Sequence, residues 1–472
     1  MTRPFLFANK PVKAGLYKNK SKTIVTRMKN VSTALLFVVC MMLPQVGNAQ
    51  EKKWIDFFSA SLAGDVREIT KEKSLKVKNI EKARAEMWKS WVKANEMFDE
   101  EKLVALENLD KGVSSTWHLP EELEPSADMN YFYGFKGEAP EEGYPFFLYL
   151  HGSGPRDREW ATGLKLAKMF DDAPSIYFVP QIPNEGKYYR WYQKSKQYAW
   201  DKLIRQMLLR PDVDPNRFYL FGISEGGYGS QRLASYYADY LAAAGPMAGG
   251  EPLKNAPAEN CRHIGFSLRT GSHDFSFYRN VLTDFTRLAF DSLAQVYPGQ
   301  YPHKVELIKG YGHSIDYRPT PVWMKQFVRN PWPKQVTWED YEVDSLYRKG
   351  FYNIEVLERP DKDLRTRYDM TIEGNHIDLT VRDVHYTATM IDPRWDIEMK
   401  FEKEYTDAKR GRMLIYLNEH LVDLEKPVTL VVNGREVFKG KVKCSKGHMA
   451  RSLATFYDPE RIYPAAIEVV LL

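Results

Sequence analysis

Along the chain the apolar residues change their period twice. Between residues 51 and about 110, positions Trp88, Trp91, Val92, Asn95 and Phe98 recur at spacings of three and four in a charged background. That period predicts an amphipathic helix packed against a larger body. From Ser114 onward, short continuous apolar runs alternate with helical periods. Residues 146–150, 176–180, 218–221, 263–270 and 304–308 read as strands, and the stretch from Tyr198 to Leu209 as a helix. Continuous runs suit strands buried on both faces, so the middle of the chain predicts a mostly parallel sheet with helices on both sides. After Trp332-Pro333 the runs at 351–357, 370–372, 376–381 and 413–417 are short and partly alternating. Residues 428–432, Asn433-Gly434 and residues 435–438 carry the signal of a type I′ hairpin. The last third therefore predicts a small antiparallel β-sandwich.

The candidate chemistry lies where the buried runs end. The run at 218–221 leads into Gly222-Ile223-Ser224-Glu225-Gly226, and a helical pattern follows. Strand, G-x-S-x-G and helix form the setting of a nucleophile elbow, a tight turn that lifts a serine hydroxyl clear of the sheet. The run at 146–150 ends in His151-Gly152-Ser153-Gly154. Backbone N–H groups of Ser153 (or Gly152) and Glu225 are the expected donors to an oxyanion. Downstream, one strand is followed by Gly271-Ser272-His273-Asp274 and the next by Gly310-Tyr311-Gly312-His313. A serine hydroxyl is a weak nucleophile at neutral pH. His313 would take its proton, and Asp274 would hold the imidazole's tautomer and stabilise its cation. Asp284 and Asp316 are the competing acids, but the first falls inside a helical pattern and the second sits too close to His313 in the same loop.

These four motifs together resemble the α/β-hydrolase superfamily over roughly residues 116–330, and the lidless layout is most similar to the dienelactone hydrolase, feruloyl esterase and polyhydroxybutyrate depolymerase branch. The resemblance implies a serine esterase with no cofactor, and an acetyl, feruloyl or similar ester on a glycan as substrate. A peptidase of the same fold is the alternative enzyme, since the same triad hydrolyses amides. A non-catalytic glycan-binding or adhesin protein with a hydrolase-like fold is the alternative outside enzymes. All triad candidates precede Trp332, so the C-terminal β-region is expected to be dispensable for the chemistry.

Composition changes this picture mainly at the N-terminus. Lys29, the apolar run from Val31 to Leu43 and Gly47-Asn48-Ala49 have the regions of a signal peptide, with Met28 as an alternative start. The expected layout is a leader over 1–49, a helical segment over 50–113, a catalytic domain over 114–332 and a β-domain over 336–472. Export places the protein in the periplasm or outside the cell, and no membrane-spanning segment is expected in the mature chain. The net charge is +5, but the leader holds eight Lys or Arg and no acid, which leaves −3 for the remainder. Nucleic-acid partners are therefore not expected. Of the three cysteines, Cys261 and Cys444 remain after cleavage, and a disulfide between them is not favoured. No metal-ligand spacing appears among the histidines. Substrate choice is expected from the loop after residue 180, where Arg190, Trp191 and Tyr192 offer a cation for a carboxylate and rings for a sugar or aryl group.

Overall fold

The structure is a computed structural model that describes residues 49–65 and 72–471. The leader reading falls almost wholly on residues 1–48, which lie outside them. Helix α1 covers residues 49–62, and α2 (Ile80–Met97) is the expected helix: of its stripe Trp91 and Asn95 are buried, Trp88 and Val92 are half-buried, and Phe98 lies just past its end. That stripe packs at a junction of two regions. Trp91 stacks on Tyr457 near the C-terminus at 5.8 Å, while the Asn95 Oδ1 accepts from Arg205 of the central region at 2.5 Å.

The central sheet has eight strands: β1 (Ser114–His118), β2 (Asp128–Lys136), β3 (Tyr144–Leu150), β4 (Ser175–Pro180), β5 (Val213–Ile223), β6 (Ala243–Met247), β7 (Gly265–Gly271) and β8 (His303–Ile308). Their spatial order is β1-β2-β4-β3-β5-β6-β7-β8. The β1–β2 and β2–β4 pairs are antiparallel, and every pair from β4 through β8 is parallel. Successive residues of a strand point to opposite faces, and each face has its own core. Phe146, Leu150, Phe218 and Leu220 pack into one, and Phe147, Tyr149, Tyr219 and Phe221 into the other. The unbroken apolar runs follow from this two-sided burial. Helices α3 (Arg156–Met169), α4 (Lys194–Leu208), α5 (Glu225–Tyr236), α6 (Arg279–Val296) and α7 (Pro319–Met324) accompany the sheet. This is the α/β-hydrolase architecture that the motifs led one to expect.

The C-terminal third contains β9 (Gln335–Asp340), β10 (Gly350–Phe351), β11 (Ile354–Glu358), β12 (Arg365–Glu373), β13 (His376–Asp392), β14 (Ile397–Asp407), β15 (Arg412–Leu417), β16 (Val428–Val432), β17 (Arg435–Gly440), helix α8 (Lys446–Phe456) and β18 (Ala465–Val470). The strands form a four-stranded sheet and a larger one ordered β17-β16-β13-β12-β9, with β14 on β13. Pairing is antiparallel except between β13 and β16. Asn433 (φ 46°) and Gly434 (φ 76°) both lie in the left-handed region, as the type I′ hairpin requires. Three features depart from the sequence reading. The run at 351–357 is broken by Tyr352, whose φ is 52°; helix α8 interrupts what reads as all strand; and β13 continues to Asp392 to form a long ribbon with β14.

The two regions are joined through buried charge. Arg329 donates to Asp458 at 2.6 Å, and Arg461 to Asp239 at 2.6 Å and Asp458 at 2.7 Å. From Glu51 onward the chain forms one compact unit. Removing one partner of such pairs strands a buried ion, which costs about 3–5 kcal/mol.

Candidate active site

The turn between β5 and α5 is set by backbone crowding. A Cβ on Gly222 would collide with the Gly226 carbonyl, and one on Gly226 with the Leu150 carbonyl of β3. Ser224 between them is held at φ 57°, ψ −112°, a sparsely populated conformation that the flanking elements enforce. Its hydroxyl stands 3.0 Å from His313 Nε2, and the His313 Nδ1–H donates to Asp274 Oδ2 at 2.7 Å. The structure thus brings together three residues that lie 89 and 39 positions apart in sequence. Asp284 is paired with Arg287 at 2.8 Å, and Asp316 with Arg318 at 2.8 Å, each within its own segment.

Asp274 has a partner that the sequence reading missed. Arg279, at the first turn of α6, donates from Nε to Oδ2 at 2.9 Å and from Nη2 to Oδ1 at 2.6 Å. Burial raises the Asp274 carboxyl, but the hydrogen bonds from Arg279 and His313 outweigh it and hold the group below the ordinary carboxylate value. The carboxylate therefore stays ionised and fixed in orientation. The two lie five positions apart, and no spacing rule flags an arginine there.

Across the serine lies the His151–Gly154 loop. His151 is buried, its Nδ1–H donating to the Gly152 carbonyl at 2.7 Å and its Nε2 accepting from the Ile182 N–H at 3.1 Å. Burial drives its pKa down to about 4, so it remains neutral. Gly152 approaches Ser224 closely: a Cβ added there would lie 3.4 Å from the serine Cβ. Glu225 is the first residue of α5, so its N–H has no acceptor within the helix. The Glu225 N–H follows the serine directly in the chain, and Gly152 stands against the serine from the loop that carries Ser153.

The aromatic segment divides. Trp191 is fully buried, and its Nε1–H donates to the His151 carbonyl at 3.0 Å. The Tyr189 hydroxyl donates to the carbonyls of Gly152 at 2.9 Å and Gly154 at 3.2 Å. These rings brace the loop beside the serine. The expectation that Trp191 faces a substrate is corrected: its apolar body and its one donor are both used inside. Arg190 and Tyr192 do reach a cavity of 490 Å³ beside the elbow, together with Glu225, Tyr228, Phe277 and Trp395. Arg190 contacts Glu225 at 3.2 Å through one nitrogen, with its side chain still half-exposed. Trp395 comes from the β13–β14 turn, so the C-terminal region reaches the site.

Among the described residues no group of three or more His, Cys, Asp or Glu side chains could hold a metal ion, and no helix is long and apolar enough to cross a membrane. Cys261 and Cys444 are both buried and unpaired.

No family model and no curated protein matches the chain. Among solved structures it is similar to a thermostable esterase, at 21% identity and a TM-score of 0.37, over 47% of this chain and 64% of that one. A ferulic acid esterase is 15% identical over 45% of this chain and 96% of that one, with a TM-score of 0.34. The S-formylglutathione hydrolase of Staphylococcus aureus is 15% identical over 45% and 97%, with a TM-score of 0.33. The fold assignment rests on the strand order and the elbow.

Proposed function

We propose that the protein is an exported serine hydrolase of carboxylic esters, with acyl groups on glycans as its substrates. The observation that carries this reading is the continuous relay from Ser224 through His313 to Asp274, at 3.0 and 2.7 Å. Ser224 Oγ attacks the ester carbonyl carbon while its proton passes to His313 Nε2. The resulting oxyanion takes hydrogen bonds from the Glu225 and Ser153 N–H groups. Collapse breaks the ester bond, and His313 returns the proton to the departing alcohol. Water then repeats the sequence on the acyl-serine and releases the acid. Asp274, clamped by Arg279, keeps the imidazole's Nδ1–H inward and stabilises the imidazolium. The signal-peptide pattern in residues 28–49 supports export to the periplasm or the exterior.

A hydrolysis screen tests this reading. p-Nitrophenyl esters and acetylated or feruloylated oligosaccharides should be turned over, and aminoacyl anilides poorly. A preference for anilides would make the protein a peptidase. Failure to hydrolyse any of them would leave a glycan-binding protein with a hydrolase fold.

A further inference from the structure

The cavity beside the elbow is built from five stretches of chain: residues 190–192, the first turns of α5, the loop 250–255, the segment after the triad acid, and the β13–β14 turn with the start of β14. Its volume, 490 Å³, lies within the ~300–1,000 Å³ of small-ligand sites. At its mouth Phe277 and Trp395 stand 4.6 Å apart, and both are exposed, at 42% and 44%. Large apolar rings left in water beside a cavity mark a contact surface.

The turn that presents Trp395 is held in place. Asp392 accepts from the Trp395 N–H at 2.7 Å, and its other oxygen accepts from the Tyr278 hydroxyl at 2.7 Å. Phe277 (φ 53°) and Tyr278 (φ 57°) both adopt left-handed backbone, costly for residues of this size. A strained pair three and four residues after the triad acid, tied to the tip of a remote ribbon, fixes the two rings relative to Ser224.

The cavity's polar groups describe the occupant. Its three cations each already contact a carboxyl group: Arg190 that of Glu225 at 3.2 Å, Arg232 that of Glu251 at 2.8 Å and Lys254 that of Glu398 at 2.7 Å. An anionic ligand would have to compete with a carboxyl group. Glu225 is only 7% exposed, and its Oε1 is buried without a hydrogen-bond partner. Such a group needs a partner from whatever enters. Burial raises the Glu225 carboxyl to about 7, against the opposing pull of Arg190, so it can both accept from and donate to a hydroxyl near neutral pH.

We propose that this cavity binds a neutral, polyhydroxylated sugar unit of the ester, with Phe277 and Trp395 as its stacking surface and Glu225 Oε1 as a hydroxyl partner. The C-terminal region is then a wall of the substrate site. This rests on the reading of Ser224 as an ester-cleaving nucleophile, and the test separates the two. Calorimetry of the full-length Ser224→Ala protein with cellobiose and xylobiose should show binding, weakened tenfold or more when Trp395→Ala is added. Val437→Ala, on an exposed stretch of β17, is the comparison variant. In the active protein, Trp395→Ala should raise KM for an acetylated neutral disaccharide tenfold or more with little change in kcat. The ratio of kcat/KM for that substrate to kcat/KM for p-nitrophenyl acetate should fall by the same factor. Circular dichroism checks that each variant is folded. Sugar binding without hydrolysis of any ester would overturn the esterase reading and leave the cavity assignment standing. Hydrolysis of p-nitrophenyl acetate without sugar binding would overturn the cavity assignment alone. So would equal ratios in the Trp395→Ala and Val437→Ala proteins, or a preference for uronate or aminoacyl esters over neutral sugar esters.

Discussion

Two loops flank Ser224, and they are held in opposite ways. The His151–Gly154 loop is braced from inside by a buried neutral histidine, Tyr189 and Trp191, all of whose polar atoms have partners within the protein. The segment around Phe277 and Tyr278 is strained, bears an exposed ring and depends on Asp392 from a ribbon more than a hundred residues away. The first loop must hold backbone donors still against a developing charge. The second must offer a surface to part of the substrate. Chemistry is thus placed on the rigid sheet, and recognition is assembled from whatever the C-terminal region brings to its edge.

The largest effect that sharpens this contrast lies on the chemical side. Asp274→Asn keeps the shape but favours the wrong histidine tautomer and should lower kcat by up to about 10⁴ at neutral pH. Asp284→Asn and Asp316→Asn should stay within roughly tenfold of wild type, about 1.4 kcal/mol, because their partners are Arg287 and Arg318. Steady-state kinetics on a p-nitrophenyl ester decides, and a crippled Asp316→Asn beside a healthy Asp274→Asn would refute the assignment.

Tyr189→Phe probes the brace. It removes one hydroxyl from two carbonyls of the loop and should cost about tenfold in kcat with KM little moved, since a displaced oxyanion donor acts on the transition state. A change confined to KM would instead place Tyr189 among the substrate contacts.

Smaller and slower to show is the acid response of stability. His151 and His263 are both held near pKa 4 by burial, against about 6.5 in the unfolded chain. Between pH 6.5 and 4 the unfolded state binds more protons at these sites, so stability falls as pH falls through that window. For the buried His151 the full loss is on the order of 3 kcal/mol. Glu225 opposes them. Its carboxyl, raised to about 7, binds more protons in the folded state between pH 4.5 and 7, so its own contribution falls as pH rises. Thermal melts should therefore drop on acidification, and more steeply in Glu225→Gln. An unchanged slope in that variant would mean its carboxyl is not raised by burial.

How much of this was legible in the sequence depended on distance along the chain. The elbow, the His151 loop and the turns carrying Asp274 and His313 are short motifs in which glycines are demanded by local crowding, so they stand out in the letters. The apolar runs of β3, β4 and the end of β5 are legible because two-sided burial leaves no polar interruption. The β13–β14 ribbon is not, because residues 387–391 of β13 are all exposed, β14 alternates exposed and half-buried residues, and the pair is held by contacts such as Lys403 with Glu259 and Glu339, each at 2.8 Å. Trp191 was misread for a related reason. A tryptophan in a loop beside a site looks the same in sequence whether its ring faces in or out.

The central claim is that Ser224 is the nucleophile, and covalent trapping tests it most directly. After incubation with a fluorophosphonate, peptide mapping by mass spectrometry should find the phosphonyl group on Ser224. Ser224→Ala should abolish labelling and lower kcat by about 10⁴ or more in a folded protein. An adduct on any other residue, or ester turnover that survives in Ser224→Ala, would contradict it.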